Sequence, residues 1–464
     1  MTTSKFIGSS VILFIDNIIV AAGNWLFWII VSIFTLPSSI GQATTIISLV
    51  TLFATVTQLG MEYPLLKRTS QEKSKIVGPT LFLALGFMLI SIPFLVIVLN
   101  SLDDPSLKNF AWIAIIMAIL YPVDFVSRYS LLGISKARIV LMVDSIGIVI
   151  KFSLGYLLVI QGSGALGILL AVFSNMVLLS VLYSVMVKRL IGFRPIVRAR
   201  KIYKIIISEG LVNTPAKLSG LLIFSLSVVL LASFGVDSSE IGRFYIALMI
   251  SIVGGGFLTS MAYMVIPASS ESRSDMSGGG LRIGISLTAP IITILIVSPA
   301  LILSVIGPEY VSAANIMKIL ALGILPFSVV MTSISKYNYL GKSRRIILLG
   351  SFQMVTFVLS FFVIVPLHST LGAAYSILIA FLMSFSLSLF WIEKTLLKYI
   401  LNTVIAILGG AASGYALDLV VHDSTMANVL IPITAVAVTS ALILALRNTS
   451  LAEISYLIKS GIRR

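Results

Sequence analysis

The sequence predicts an all-α, polytopic membrane protein with about fourteen transmembrane helices. Hydrophobic residues make up 58% of the 464-residue chain, charged residues only 11%, and the mean hydropathy is +1.11. A soluble protein of this length needs a far more polar surface than this composition supplies. The apolar residues also fall into runs of about 20, the length of helix that crosses a bilayer.

The predicted spans follow one another along the whole chain with short connections. The first eight cover approximately residues 7–34, 41–66, 76–99, 109–133, 138–160, 164–188, 204–234 and 240–268. The last six cover approximately residues 281–306, 312–339, 344–366, 370–392, 397–420 and 427–446. Lys and Arg cluster in alternate connections, so by the positive-inside rule we expect both termini in the cytoplasm and the chain in the plasma membrane.

A weak internal repeat suggests how the spans are grouped. Glycine-containing motifs at span ends recur about 200 residues later: Gly41 and Gly242, Gly133 and Gly341, and Gly167 and Gly372. We therefore expect two six-helix lobes and two extra C-terminal helices, an arrangement typical of transporters that bind substrate between repeats. The predicted N-lobe is residues 1–200 with its basic linker, the C-lobe is 201–395, and 396–464 holds the last two helices and a basic cytoplasmic tail.

Composition argues against several other classes of function. The net charge of +15 follows membrane topology, which makes a nucleic-acid role improbable, while the basic inner face would attract anionic membrane lipids. The two histidines stand alone and there is no cysteine, so we expect no metal site and no cofactor. The loops are too short to carry the ordered acid, base or metal groups of a membrane enzyme, and we expect a non-enzyme.

Polar residues inside the spans are the candidate functional residues, because an intramembrane charge is costly unless it meets protein or water. Glu209, Asn213 and Lys217 lie at steps of four and would share one face of the seventh span. Pro215 would bend that helix. At 1.5 Å per residue, Lys217 would lie near the middle of the bilayer and Glu209 nearer the cytoplasm. Lys217 would then line a cavity or form an ion pair with an acid such as Asp16.

The first span corresponds to the seventh in the repeat and also carries polar residues: Asp16, Asn17 and Asn24. We expect these two helices to face a shared cavity. The fourth and fifth spans add two pairs, Asp124 with Arg128 and Asp144 with Lys151. Each pair is spaced to neutralise itself along one helix face. We expect these residues either to pair, within or between helices, and so stabilise the N-lobe, or to contact substrate. Lys151 is the other basic residue at mid-membrane depth and the member most suited to substrate contact.

Several short motifs resemble those of a transporter family. The C-lobe motif consists of Gly307, Pro308, Glu309, Tyr310, Ala313, Ala314, Ile319, Leu320, Ala321, Leu340, Gly341 and Lys342. Second-span and eighth-span motifs consist of Ile40, Gly41, Leu59, Gly60, Pro64, Leu65 and Leu66, and of Ile241, Gly242, Phe244 and Pro267. Together they resemble the O-antigen flippase-like polysaccharide and oligosaccharide-lipid flippases of the multidrug/oligosaccharidyl-lipid/polysaccharide exporter superfamily, over most of residues 1–395.

This resemblance implies a transporter that flips an isoprenoid-(pyro)phosphate-linked oligosaccharide from the inner to the outer leaflet by alternating access. Lys217, Lys151 and Arg128 would supply positive charge to a central cavity, with Lys217 as the main contact for the charged headgroup. Asn213, Asn24 and Asn17 would complete its lining. Asp16 and Glu209 are candidates for coupling to H+ or Na+, or for a gate. Glycan-assembly enzymes are candidate partners. The alternatives are a small-cation multidrug antiporter of the same superfamily and an inert assembly subunit.

Overall fold

The computed structural model describes residues 3–72, 74–192, 200–211, 214–217, 222–256, 277–392, 394–420 and 424–449, with isolated residues between 220 and 275. All regular structure in these ranges is helical, which confirms the all-α prediction. Ten of the helices are long and apolar enough to cross a membrane, so the chain is a multi-pass membrane protein. Two shorter stretches are also helical and apolar: Ile18–Phe34, at the end of the first helix, and Ile223–Ser233.

The chain divides into two compact units, one made of Met1–Ile246 and Ile346–Ala373 and the other of Ala247–Arg345 and Ala374–Arg464. In chain order, the first ten helices are α1 (Thr3–Phe34), α2 (Pro37–Gln58), α3 (Glu62–Glu72), α4 (Ser74–Ser101), α5 (Ala111–Gly133), α6 (Ala137–Ile160), α7 (Gly164–Leu190), α8 (Arg200–Leu211), α9 (Thr214–Lys217) and α10 (Ile223–Ser233). The others are α11 (Ser238–Gly254), α12 (Ser277–Val297), α13 (Pro299–Ile306), α14 (Ala314–Tyr339), α15 (Ser343–Leu389), α16 (Lys394–Asp418) and α17 (Ser424–Ala445). The division of the chain into lobes at residues 200 and 395 stays a prediction.

Several predicted spans are subdivided for identifiable reasons. The span predicted at 41–66 is split into α2 and α3, because Leu59 and Gly60 adopt φ values of 45° and 66°. Pro299, which cannot donate a main-chain hydrogen bond, separates α12 from α13 within the predicted span 281–306. The spans predicted at 344–366 and 370–392 are two helices that meet at a kink within α15, where Ser369 leaves helical geometry with a φ of 49°.

The predicted seventh span, 204–234, is described only in part. Its described part consists of the three segments α8, α9 and α10. Pro215 lies in the middle segment, where its ring removes a main-chain donor and disfavours a continuous helix. Asn213 lies outside the described residues, so the predicted common face of Glu209, Asn213 and Lys217 stays a prediction.

A buried apolar cluster fixes the helices of the first unit around the polar residues considered below. Leu65 of α3, Val126 of α5, Tyr183 of α7 and Ile206 of α8 all belong to it and are fully buried. Inside a bilayer, such contacts hold helices together through van der Waals packing. They place α3, α5, α7 and α8 against one another.

Near the start of α2, Asp104 connects that helix with the segment that follows Asp104 and with the start of α11. Its carboxylate accepts hydrogen bonds from Gln42 (3.3 Å), from the backbone amide of Ser106 (2.9 Å) and from the hydroxyl of Ser238 (2.7 Å). Burial of this carboxylate opposes ionisation, but the hydrogen bonds from Ser106 and Ser238 outweigh that effect and hold the pKa of Asp104 below its ordinary value. The charged form therefore stabilises the fold.

We predict that Asp104→Asn lowers the free energy of unfolding at pH 7 by about 1 kcal/mol, because hydrogen bonds to a charged acceptor are lost. A depressed pKa stabilises the protein above the ordinary aspartate value of about 3.9, and this contribution disappears as the pH falls through the folded-state pKa. The difference between wild type and variant should therefore shrink on acidification. Thermal unfolding in detergent between pH 7 and pH 3 measures it. Asp103→Asn, at the exposed neighbouring carboxylate, is the control, and an equal loss there would contradict the prediction.

Candidate functional site

A guanidinium joins three helices inside the first unit. Arg128 of α5 donates to Asp16 of α1 at 2.9 Å and to Asp144 of α6 at 2.9 Å through Nη2, and again to Asp144 at 3.2 Å through Nε. Tyr183 of α7 donates its hydroxyl hydrogen to the other Asp144 oxygen at 2.6 Å. Four helices thus converge on one hydrogen-bonded charge cluster. Of the interpretations left open for Arg128, the structure shows pairing between helices, with Asp16 and Asp144 as the partners.

This cluster, consisting of Arg128, Asp16, Asp124, Asp144 and Tyr183, holds more carboxylates than guanidiniums. Asp16 is fully buried, and its Oδ1 has no hydrogen-bond partner among the described residues. The same holds for Oδ1 of Asp124. Buried oxygens without a donor are rare in native proteins, since each costs about 1–3 kcal/mol. The cluster is therefore chemically suited to take up a proton or a small cation.

Lys151 of α6 occupies a different environment from Arg128. Its side chain is only 7% exposed, its ammonium donates to Oδ1 of Asn24 at 2.6 Å, and it lies 4.3 Å from the centre of the Phe27 ring. Within the described ranges no carboxylate forms an ion pair with it, and Asp144 is bound by Arg128 instead. An amide oxygen and a ring face attract the ammonium, but neither neutralises its charge.

Lys217 of α9 has a carboxylate partner. Its ammonium lies 2.7 Å from Oε1 of Gln58 and 3.2 Å from Oε2 of Glu62, and 4.8 Å from the centre of the Phe125 ring. The alternative interpretation of Lys217, a buried ion pair with an acid on another span, is therefore what the structure shows. The acid is Glu62 and not Asp16, which is bound by Arg128.

Glu209 of α8 is tied to α3 by ion pairs. Arg68 donates to its two carboxylate oxygens at 2.6 and 3.2 Å, and Lys67 lies 3.6 Å away. The same guanidinium donates to Glu72 at 3.1 Å. Two-point pairing of this kind fixes orientation as well as charge. Glu209 therefore joins helices and is already neutralised.

The structure brings together residues that the sequence alone left apart. Asp16 and Arg128 meet in one cluster, and Asn24 meets Lys151 in another. Asn17 belongs to α1, but its side chain lies outside the described part of the structure, as does Asn213 as a whole. Sequence reasoning missed four residues that complete these groups: Gln58, Glu62, Arg68 and Tyr183. The spacing of Gln58 and Glu62 by four residues was the available signal for two of them.

We predict that Arg128→Met destabilises the protein by about 3–5 kcal/mol, because two buried carboxylates lose their countercharge. The double variant Arg128→Met/Asp144→Asn should recover part of that loss by removing one uncompensated charge. Thermal unfolding of the purified protein in detergent measures both. Equal stability of Arg128→Met and wild type, or no recovery in the double variant, would contradict the pairing described above.

Comparison with known proteins identifies the fold. Neither a protein-family model nor a curated protein matches the sequence. Among solved structures, the chain is similar to the lipid II flippase MurJ in an inward closed conformation, with a TM-score of 0.69 and 14% identity over 95% of this chain and 99% of that one. It is also similar to an inward-facing multidrug resistance MATE family transporter of the MOP superfamily, with a TM-score of 0.59 and 15% identity over 86% of this chain and 99% of the other. An outward-facing transporter of that family gives a TM-score of 0.56 at 16% identity, over 84% and 96% of the two chains. The chain therefore has the fold shared by these transporters.

Proposed function

We propose that this protein is a transporter that flips an isoprenoid-(pyro)phosphate-linked oligosaccharide from the inner to the outer leaflet by alternating access. The observation that carries the proposal is Lys151, a buried ammonium whose described partners are a neutral amide and an aromatic ring. The similarity to a lipid II flippase over nearly the whole chain supports the same class of substrate.

The argument for an anionic substrate starts from the cost of the Lys151 charge. A lysine at the centre of a membrane helix costs about 2.5–3.5 kcal/mol unless it is compensated. A phosphate oxygen supplies the missing charge and accepts a hydrogen bond from the ammonium. Asn24, which already accepts from Lys151, has an amide group that suits sugar hydroxyls or phosphate oxygens. These two residues are the centre of the proposed site.

Lys217 and Arg128 have a secondary part in this proposal, because both are already paired. A phosphate would have to compete with Glu62 for Lys217, and with Asp16 and Asp144 for Arg128. The positive charge available to a substrate therefore resides mainly on Lys151. Lys217 is the second candidate for phosphate contact. The amide nitrogen of Gln58, the residue whose oxygen accepts from Lys217, has no hydrogen-bond acceptor among the described residues.

The membrane arrangement completes the proposal. The protein lies in the plasma membrane with its N- and C-termini in the cytoplasm. The substrate enters from the inner leaflet, where isoprenoid-linked sugars are assembled. Glycan-assembly enzymes that associate with the carrier would act on the same side. The N-lobe at 1–200 and the C-lobe at 201–395 would move in alternation, with helices of 396–464 beside them. Transport of this kind needs no bond to be made or broken.

A second candidate function is export of a small organic cation, coupled to H+ or Na+. It is favoured by the excess of carboxylates around Arg128 and by the unpartnered oxygens of Asp16 and Asp124. The same cluster would serve as an ion-coupling site in the flippase proposal. Glu209 is the weaker candidate for coupling, because Arg68 and Lys67 already neutralise it.

We predict that Lys151→Met reduces flipping of a fluorescent isoprenyl-diphosphate-linked sugar at least about tenfold, since methionine keeps the apolar stem and loses the charge. The assay is quenching of the lipid exposed at the surface of reconstituted vesicles. Lys318→Met is the matched control, because Lys318 lies over the ring of Tyr415 in the other unit. Unchanged flipping by Lys151→Met, at wild-type levels of inserted protein, would refute the role of Lys151.

The antiporter alternative makes a separate prediction. If cations are the cargo, Asp16→Asn and Asp144→Asn should abolish efflux of ethidium driven by a pH or sodium gradient, while Lys151→Met leaves it intact. Vesicles that export ethidium in this pattern and do not flip the lipid would replace the flippase proposal. The flippase proposal predicts no ethidium efflux above that of protein-free vesicles.

A further inference from the structure

Arg345, in the first turn of α15, lies between two aromatic rings of the second unit. The central carbon of its guanidinium is 5.2 Å from the centre of the Tyr337 ring and 5.1 Å from the centre of the Trp391 ring. The two rings meet almost edge to face, at 85°, with their centres 6.2 Å apart. Ring faces attract a guanidinium and limit its movement, but they do not neutralise its charge.

The charge of Arg345 has no carboxylate partner among the residues that the structure describes. The nearby carboxylate of Asp275 is bound by Lys336 at 2.8 Å. Tyr337 is buried while Arg345 is partly exposed, so the buried ring positions a guanidinium that a ligand can still reach. A guanidinium is always charged, and its planar fork of N–H donors matches a phosphate group.

Two more basic residues lie beside Arg345 at the turn between α14 and α15. Lys342 and Arg344 are both exposed. Gly341 adopts a φ of 67°, and the backbone amide of Lys342 donates to the backbone oxygen of Tyr337 at 2.9 Å, so the turn is tight and fixed on α14. Positive charges in the first turn of a helix are disfavoured by the helix dipole. An anion bound beside these three side chains would relieve that repulsion.

Exposed apolar side chains are the immediate neighbours of these groups in the chain. Leu340 precedes Gly341 and is 41% exposed, and Phe390 precedes Trp391 and is 82% exposed. Aromatic rings and basic residues beside apolar surface are typical of the level in a membrane where headgroups meet acyl chains. A ligand that fits here has both a phosphate group and an apolar portion, which favours a lipid over a soluble phosphate.

The first repeat has a basic turn at the equivalent place but no counterpart of Arg345. With Gly133 aligned to Gly341, the position of Arg345 is occupied by Ala137, which is buried. Lys136, beside it, is exposed. The positive-inside rule accounts for exposed basic residues at both turns, but not for a guanidinium held between two rings at one of them. Topology alone therefore does not explain Arg345.

We propose that Arg345, with Lys342 and Arg344 beside it, binds the phosphate group of an anionic phospholipid of the inner leaflet. The guanidinium N–H groups donate to the phosphate oxygens while the two rings hold its faces, and the exposed basic side chains add attraction for the negative headgroup. The acyl chains pack on the exposed apolar side chains beside the turn. This inference uses the predicted orientation, in which the α14–α15 turn faces the cytoplasm, and it does not depend on which substrate the protein carries.

Native mass spectrometry of the full-length protein in detergent, titrated with phosphatidylglycerol, measures the binding. We expect one phospholipid to be retained more tightly than the others, and Arg345→Gln to weaken its binding at least about fivefold, the effect of one basic residue near an anionic headgroup. Lys136→Gln is the matched control, because it removes one positive charge from the equivalent turn of the first repeat. Equal weakening by both variants, or by neither, would overturn the site.

Arg345→Lys separates the guanidinium from its charge, since an ammonium is a point charge without the planar fork. Its affinity for phosphatidylglycerol should lie between those of wild type and Arg345→Gln. An affinity equal to wild type would contradict the role of the stacked guanidinium. This variant also provides the test if Arg345→Gln fails to fold.

Three other ligands identify what the site takes. Phosphatidylcholine, which has no net negative charge, and inorganic phosphate, which has no acyl chains, should each bind at least about tenfold more weakly than phosphatidylglycerol. Inorganic phosphate that binds as tightly as the phospholipid would overturn the lipid assignment. Displacement of phosphatidylglycerol by the isoprenyl-diphosphate-linked sugar, in wild type and Lys151→Met alike, would assign the site to the transported lipid and overturn the phospholipid proposal.

Discussion

The structure depends on one constraint, that an ionised side chain inside an apolar helix bundle must be compensated. The first unit meets this constraint in three ways. Arg128 is shared between Asp16 and Asp144, Lys217 is held by Glu62 and Gln58, and Lys151 relies on neutral groups. Arg128 and Lys217 thus have carboxylate partners within the protein. Lys151 does not have one among the described residues, and its positive charge is available to an anionic ligand.

That difference separates charges that hold helices together from charges that are available to a ligand. Pairs formed between α1, α5, α6 and α7 fix the bundle, and breaking them costs more than an exposed ion pair would. The Lys151 environment is aromatic on one side and amide on the other, which suits a phosphate group carrying a sugar. The excess of carboxylates around Arg128 has the opposite character and suits a proton or a cation. A carrier driven by an ion gradient would need both kinds of site.

Much of the fold was predictable from sequence, because bilayer thickness imposes the same length on every span. The interruptions were harder to predict. Leu59 has no residue-type preference for a positive φ, so the end of α2 inside the predicted span 41–66 was not visible in the sequence. The kink at Ser369, in contrast, lies between two spans that were predicted separately. The candidate residues Asp16, Arg128, Asn24 and Lys151 were recognisable as polar residues in apolar runs. Their partners were not, since pairing across helices depends on rotation about each helix axis, which spacing along one helix does not specify.

The pairs themselves illustrate this. Spacing by four or seven residues allows partners on the same helix, but Arg128 and Lys151 both have partners on other helices. Glu62, at the start of α3, is likewise bound by a lysine from a distant part of the chain.

The most direct test of the central claim compares two lipids in vesicles that contain the wild-type protein. One is an isoprenyl-diphosphate-linked sugar, and the other carries the same sugar and the same isoprenoid without the phosphates. The account predicts protein-dependent flipping of the charged lipid alone, because the Lys151 ammonium needs an anion. Equal flipping of both lipids, or of neither, would contradict it.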